Sequence, residues 1–261
     1  VNEAQAAGFT AVQVLLTDGV QFDHAPWIPV KTAWTKAEFL SWADYARAHG
    51  LEVIPEVKLL THQEQFFQRQ YPGLMFNTVS YDPRKDATYA VVFPFLDELI
   101  EAVHPRAIHI GHDEAFGWTV GQVSKWLKLG EVMIPADLFL RDVVRVHDYL
   151  GKKGVETWMW ADMVLSPAEF PGAQTRHLHG IAAGYGKALR QQLPRDIVMC
   201  DWHYGDEQGS FPSIDIMQGE GFRVIGATWK QESATRKFSR YALSRHAYGL
   251  MATTGFHIQQ N

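Results

Sequence analysis

The hexapeptide His109-Ile110-Gly111-His112-Asp113-Glu114 carries the residue types best suited to chemistry. The apolar run from Arg106 to Ile110 reads as a short buried strand that ends at a glycine and then presents two adjacent carboxylates. Strand ends are where parallel α/β barrels place their reactive groups. Neighbouring carboxylates repel when both are ionised, so one of the two is expected to titrate high, leaving an acid beside an anion near neutral pH. The same two residues would also serve as the N-cap of a following helix, and the hexapeptide alone leaves both readings open.

The elements that must position this pair alternate along the chain. Strand-like apolar runs fall at Phe9–Thr17, Leu51–Val57, Ala107–Gly111, Val155–Ala161, Ile197–Trp202, Arg223–Thr228 and Gly249–Thr254, with Thr175–Gly180 a weaker candidate. Helical patterns lie between them. Thr35 and Glu38 make a capping-box pattern ahead of Phe39, Trp42, Ala43 and Ala46, and Gly50 closes that helix. Ala87–Val103, Leu138–Leu150 and Ser233–Tyr248 complete the set. Strand and helix in alternation imply parallel strands joined by crossovers, and the expected fold is α/β, a (β/α)8 TIM-type barrel spanning 1–261 as one domain. An open doubly wound sheet is the alternative, but no glycine-rich phosphate loop is present.

Polar and aromatic residues gather at the ends of these strands. Thr17-Asp18 ends the first, Glu56 the second with His62 in its loop, and Asp113-Glu114 the third. Trp158, Trp160 and Asp162 share one parity at the fourth. Asp201, Trp202, His203 and Tyr204 end the next, and Trp229 the one after, with Glu232 just beyond. Carboxylates and Trp planes together suit a sugar, whose C–H faces stack on aromatics and whose hydroxyls need acceptors.

Composition narrows the partners. The 261 residues are 46% hydrophobic, enough for a full core, and the net charge of −5 with no basic run argues against nucleic acid. No apolar stretch reaches the ~20 residues of a membrane span. Cys200 is the one cysteine, which excludes an intrachain disulfide and a cysteine-based metal cluster, and its apolar surroundings suggest a buried thiol. With no visible leader the cytoplasm is favoured, although the chain opens on Val1. A broad apolar surface could serve a homodimer.

Several segments resemble the family 20 glycoside hydrolases, the β-N-acetylhexosaminidases. Leu51-Glu52-Val53-Ile54-Pro55-Glu56 followed by His62 resembles one strand and loop of that family. His109-Ile110-Gly111-His112-Asp113-Glu114 resembles its His-x-Gly-Gly-Asp-Glu signature, Leu16-Thr17-Asp18 its second strand end, and Trp158-Met159-Trp160-Ala161-Asp162 its fifth strand. The likeness covers roughly residues 5 to 230. It implies a retaining enzyme in which the substrate's 2-acetamido oxygen is the nucleophile. Glu114 would then be the general acid and later the base, while Asp113 orients the acetamido group. This route is an exception to the usual two-carboxylate scheme. By the same resemblance Trp160, Trp202 and Trp229 would wall the sugar and Tyr204 would donate to the acetamido oxygen. Asp162 and Glu232 would accept from hydroxyls, and His62 and His109 would join the binding set. No cofactor and no metal are implied, and the partner is a glycan bearing N-acetylhexosamine of either the gluco or galacto epimer.

The chain departs from the family at identifiable points. His112 stands where the family has a second Gly, and Lys58 where it often has an Asp, two residues after Glu56. The Arg of the family's first strand has no counterpart, so either that strand is missing or another segment, such as Thr175–Gly180, closes the barrel. Two other functions fit the residues. One is a glycan-binding barrel without catalysis. The other is a metal-dependent hydrolase using His109, His112 or His203, although none of these three falls in a His-x-His or His-Glu-x-x-His pattern.

Overall fold

The computed structural model describes residues 1–64, 66–115, 127–171 and 177–254. These residues form two compact units, one before Trp158 and one from Trp158 onward.

The first unit runs α1 (Asn2–Ala6), β1 (Ala11–Leu16), β2 (Val20–Gln21), β3 (Trp34–Thr35), α2 (Lys36–Ala48), β4 (Glu52–Leu59), α3 (Phe67–Gln70), α4 (Asp86–Val103), β5 (Ala107–Gly111) and α5 (Ala136–Lys152). The anticipated capping box is present. The Glu38 amide donates to Thr35 Oγ1 at 3.2 Å, and the Thr35 amide donates to Glu38 Oε2 at 2.8 Å. Strand β1 pairs parallel with β4 from Ala11 opposite Glu52 to Leu16 opposite Val57. Strand β4 pairs parallel with β5, Glu56 opposite His109, and the register shifts before Leu59 meets Gly111. All of β5 is buried, as a continuous apolar run in a parallel sheet should be. The apolar stripes of α4 (Val92, Phe95, Leu96, Leu99) and α5 (Phe139, Val143, Val146, Leu150) are fully buried.

The register shift in β4 and the glycine ending β5 belong together. Gly111 has φ +76°, and a Cβ there would lie 3.1 Å from the Val57 carbonyl oxygen and 3.4 Å from Lys58 Cα. Only a residue without a side chain lets the end of β5 approach the bulged backbone this closely.

The second unit contains β6 (Glu156–Trp160) from Trp158 on, α6 (Tyr185–Gln192), β7 (Val198–Trp202), α7 (Pro212–Gly219), β8 (Arg223–Trp229), α8 (Glu232–Ser244) and β9 (Gly249–Thr253). All pairings are parallel: Trp158 opposite Val198, Val198 opposite Arg223, and Ile225 opposite Gly249. Phe238 of α8 packs over Gly226 of β8, where a Cβ would meet the ring at 3.1 Å. Burying that phenyl group contributes about 2–3 kcal/mol.

The seven expected strands are all present, with ends moved by a residue or two. Residues 177–180 carry no strand, so that part of the Thr175–Gly180 candidate is corrected. Residues 175 and 176 lie outside the described residues. Backbone amides there serve a loop instead: His179 N donates to Asp162 O and Gly180 N to Leu165 O. Phe256, at the end of the last apolar run, also lies outside the described residues. No helix among the described residues is long and apolar enough to cross a membrane.

Candidate active site

The carboxylate pair stands at the end of β5 on strained backbone. His112 has φ +66° and Glu114 φ +51°, and across from them Leu60 and His62 both have φ +60°. Left-handed conformations cost a non-glycine residue on the order of 1–2 kcal/mol, and their clustering marks a site held by its surroundings. Position 112 takes the backbone conformation glycine adopts freely, which is why a Gly suits it in the family signature.

Asp113 is the electrostatic centre of the first unit. Lys58 Nζ donates to both its oxygens, at 3.0 Å and 2.9 Å, and His62 Nε2 lies 3.2 Å from Oδ2. Lys58 also lies 3.6 Å from Glu56 Oε1, and His62 3.6 Å from Glu114 Oε2. Burial alone would raise the Asp113 pKa, but the positive charges of Lys58 and His62 and their hydrogen bonds hold it well below the usual carboxylate range. Burial likewise works against the charge on Lys58 and His62, but the charge and hydrogen bonds of Asp113, together with Glu114 and, for Lys58, Glu56, outweigh it, so both titrate above their ordinary values. Of the adjacent pair, Asp113 is therefore the permanent anion.

Glu56 is buried behind this cluster and accepts from Gln13 Nε2 at 2.8 Å. His109 is fully buried, its Nδ1 accepts the Gly111 amide at 3.2 Å, and burial pushes its pKa down to about 4. It is a neutral brace of the turn that presents Asp113. His112 turns away from the pair. Its Nδ1 donates to the Ile110 carbonyl at 3.1 Å, and its Nε2 lies 2.8 Å from Asp142 Oδ2. Asp142 also accepts the Tyr81 hydroxyl at 3.0 Å and the Tyr89 hydroxyl at 2.6 Å.

In the second unit a cavity of about 220 Å³ is lined by Trp202, Tyr204 and Trp229, with His177, Lys230 and Gln231 among the polar lining. The Trp202 and Tyr204 rings lie 4.9 Å apart, Tyr204 and Trp229 5.5 Å, and the Lys230 ammonium sits 4.1 Å from the Trp229 ring centre. Five residues expected to bind sugar are absent from this lining, among them His62 and His109, which belong to the first unit. Trp160 is buried in β6. Asp162 is buried, with Oδ2 2.8 Å from His179 Nδ1. Glu232 is exposed at the start of α8 and pairs with Arg236.

Two participants were not picked out by sequence reasoning. Lys58 registered only as a missing Asp, although its position two residues after Glu56 puts it on the same face of β4. His177 forms a His-x-His with His179, a spacing that sequence reasoning passed over, and lies in a segment without regular structure.

A parallel α/β chain with an Asp-Glu pair at a strand end belongs to a recognisable class of carbohydrate-active barrels. The sequence matches glycosyl hydrolase family 20, catalytic domain, over residues 15–237, and the chain belongs to that family. It is similar to "Beta-hexosaminidase 1" of Coccidioides posadasii, 23% identical over 206 residues, which is 70% of this chain and 30% of that protein. Among solved structures it resembles the chitobiase of Flavobacterium johnsoniae, with TM-score 0.64 and 14% identity over 97% of this chain and 40% of the other. It also resembles a β-N-acetylhexosaminidase from Bacteroides fragilis, with TM-score 0.58 and 20% identity over 87% of this chain and 46% of the other. These likenesses show the fold, the TIM-type barrel class with parallel strands. The chain spans about a third of the length of the curated relative it matches.

Proposed function

We propose that the chain is the catalytic part of a retaining exo-β-N-acetylhexosaminidase acting on terminal β-linked N-acetylglucosamine or N-acetylgalactosamine. Its family and the named relatives support the substrate class. The observation that carries the mechanism is the division of labour in the carboxylate pair. Asp113 is fixed as an anion by Lys58 and His62, while Glu114 lies beside it on strained backbone. An anion there orients the substrate's acetamido N–H and stabilises positive charge as the acetamido oxygen attacks the anomeric carbon. The attack breaks the glycosidic bond, and Glu114 gives its proton to the departing oxygen. Glu114 then takes a proton from the water that opens the cyclic intermediate, which restores the acid. Trp202 and Trp229 offer planes on which pyranose C–H faces stack.

A carboxylate has about four lone-pair sites, and Lys58 and His62 use three of those on Asp113, so one more donor can be accepted. The same crowding favours a second reading, a glycan-binding barrel whose Asp113 is committed to Lys58. The deciding measurement is nitrophenol release from the β-N-acetylglucosaminide and β-N-acetylgalactosaminide, with the plain β-glucoside and β-galactoside as controls. Hydrolysis confined to the acetamido sugars is expected. Glu114→Gln is expected to lower the rate by about 10²- to 10⁴-fold. Sugar binding without turnover of any of the four substrates would select the binding barrel.

A further inference from the structure

The second unit contains a side-chain cluster that the hydrolytic reading does not use. His177, His203 and Asp206 are all buried, and each offers a ligand atom within 4.8 Å of the other two. They line two cavities at once. One, of about 10 Å³, is the size of a single water or ion, and the other is the aromatic-walled cavity of about 220 Å³.

Both ring nitrogens of His203 face carboxylates. Its Nε2 lies 3.1 Å from Ser213 Oγ and 3.3 Å from Asp201 Oδ2. Ser213 Oγ already donates to Asp201 Oδ2, at 2.6 Å, so Nε2 is the donor in this trio and carries a proton. Its Nδ1 therefore turns toward Asp206 Oδ2, 3.4 Å away. A bare lone pair facing a carboxylate is repulsive, so a positive charge belongs between them. A proton would satisfy these two atoms only. His177 would remain, 96% buried and making no hydrogen bond among the described residues, with its ring centre 3.8 Å from that of His203.

We propose that His177, His203 Nδ1 and Asp206 form a three-ligand site for a divalent transition-metal ion, zinc by ligand type, with its fourth position open to the aromatic-walled cavity. Imidazole and carboxylate are zinc ligands, and three protein ligands with one open position is the arrangement of exchangeable sites. Ligands about 2.0–2.1 Å from a tetrahedral ion stand about 3.3 Å apart, close to the Nδ1–Oδ2 separation already present. Asp201 supplies the outer-shell carboxylate that orients the metal-bound imidazole through its other nitrogen. A water or a sugar hydroxyl takes the open position. The site does not depend on the hydrolytic reading of Asp113 and Glu114.

The test is a titration of chelator-stripped protein with Co²⁺ at mildly alkaline pH, followed by visible absorption and then by displacement with Zn²⁺. The expected result is one equivalent bound, with the intense visible bands of low-coordinate cobalt, bleached by Zn²⁺. His177→Ala and Asp206→Asn should abolish those bands, with near-ultraviolet circular dichroism confirming the fold. Asp201→Asn should weaken binding about 10- to 100-fold. His62→Ala should leave the bands intact, because His62, Asp113 and Glu114 form the other cluster able to hold an ion. No stoichiometric uptake by the unaltered protein would overturn the proposal, as would uptake unchanged in both ligand variants or lost on His62→Ala. If His177→Ala does not fold, Asp206→Asn and the unaltered protein carry the test alone.

Discussion

Lys58 Nζ bridges both oxygens of Asp113, at 3.0 Å and 2.9 Å, with both side chains largely removed from solvent. An Asp held this way keeps its charge far into acid. The acid limb of kcat/KM against pH is therefore expected well below the ordinary carboxylate range. Lys58→Met removes the strongest opposing charge, so the Asp113 pKa rises and the acid limb moves to higher pH. A limb that stays in place in the variant would show that Asp113 ionisation does not govern the rate.

The same pairing predicts how His62 titrates. Burial lowers its pKa, but the charge and hydrogen bond of Asp113, with a smaller contribution from Glu114, raise it above the ordinary value. A group with a raised folded pKa contributes stability below its unfolded pKa of about 6.5, and that contribution is lost as pH rises through the folded value. Asp113 has the opposite sign: its contribution is present above an unfolded pKa of about 3.9 and is lost as pH falls through its depressed folded value. In an NMR titration of the ring carbons, Asp113→Asn should move the His62 midpoint downward. An unchanged midpoint would assign the shift to something other than Asp113.

His112 is tied to Asp142 in the core, so its replacement should damage folding first. His112→Ala leaves the buried Asp142 carboxylate with only the Tyr81 and Tyr89 hydroxyls, at an expected cost of about 3–5 kcal/mol. Adding Asp142→Asn removes the stranded charge and should recover part of that loss. Urea denaturation of the two single variants and the double variant measures the coupling, and strictly additive losses would show that the two side chains act independently.

Much of this was legible from the chain, for physical reasons that differ by element. Fully buried parallel strands read as unbroken apolar runs, so β5 was expected over Ala107–Gly111 and lies there. Thr35 and Glu38 signalled a helix start because a capping box is local chemistry. The short helices α6 and α7 were not anticipated, since eight residues give too few turns for a periodic pattern. The carboxylate pair was visible because its members are adjacent in sequence. Lys58 was misjudged because its partner is 55 residues away, and neither residue type nor spacing announces a contact made by a strand bulge. His112 stood out only as a replacement for the family's second Gly, and the left-handed turn that sends its ring toward Asp142 was not visible in the sequence. Burial of Asp162 beside His179 was equally hidden, because it depends on a loop 17 residues on.

Gly111 joins backbone geometry to chemistry, and its replacement should show both effects at once. Alanine there must adopt φ +76° and places its Cβ 3.1 Å from the Val57 carbonyl oxygen. The conformation alone costs about 1–2 kcal/mol, and the close contact adds to it unless the strand ends separate. Neither backbone has slack: the Gly111 amide is held by His109 Nδ1, and Leu59 is paired with Gly111. Separation would carry Asp113, two residues on, away from Lys58. Gly111→Ala should therefore lower the midpoint of urea unfolding and cut kcat by more than the loss of folded protein explains. Its acid limb should also shift upward, in the direction expected for Lys58→Met. A variant that is less stable but keeps both the normal kcat per folded molecule and the normal acid limb would show that the close approach of β5 to β4 serves the fold alone.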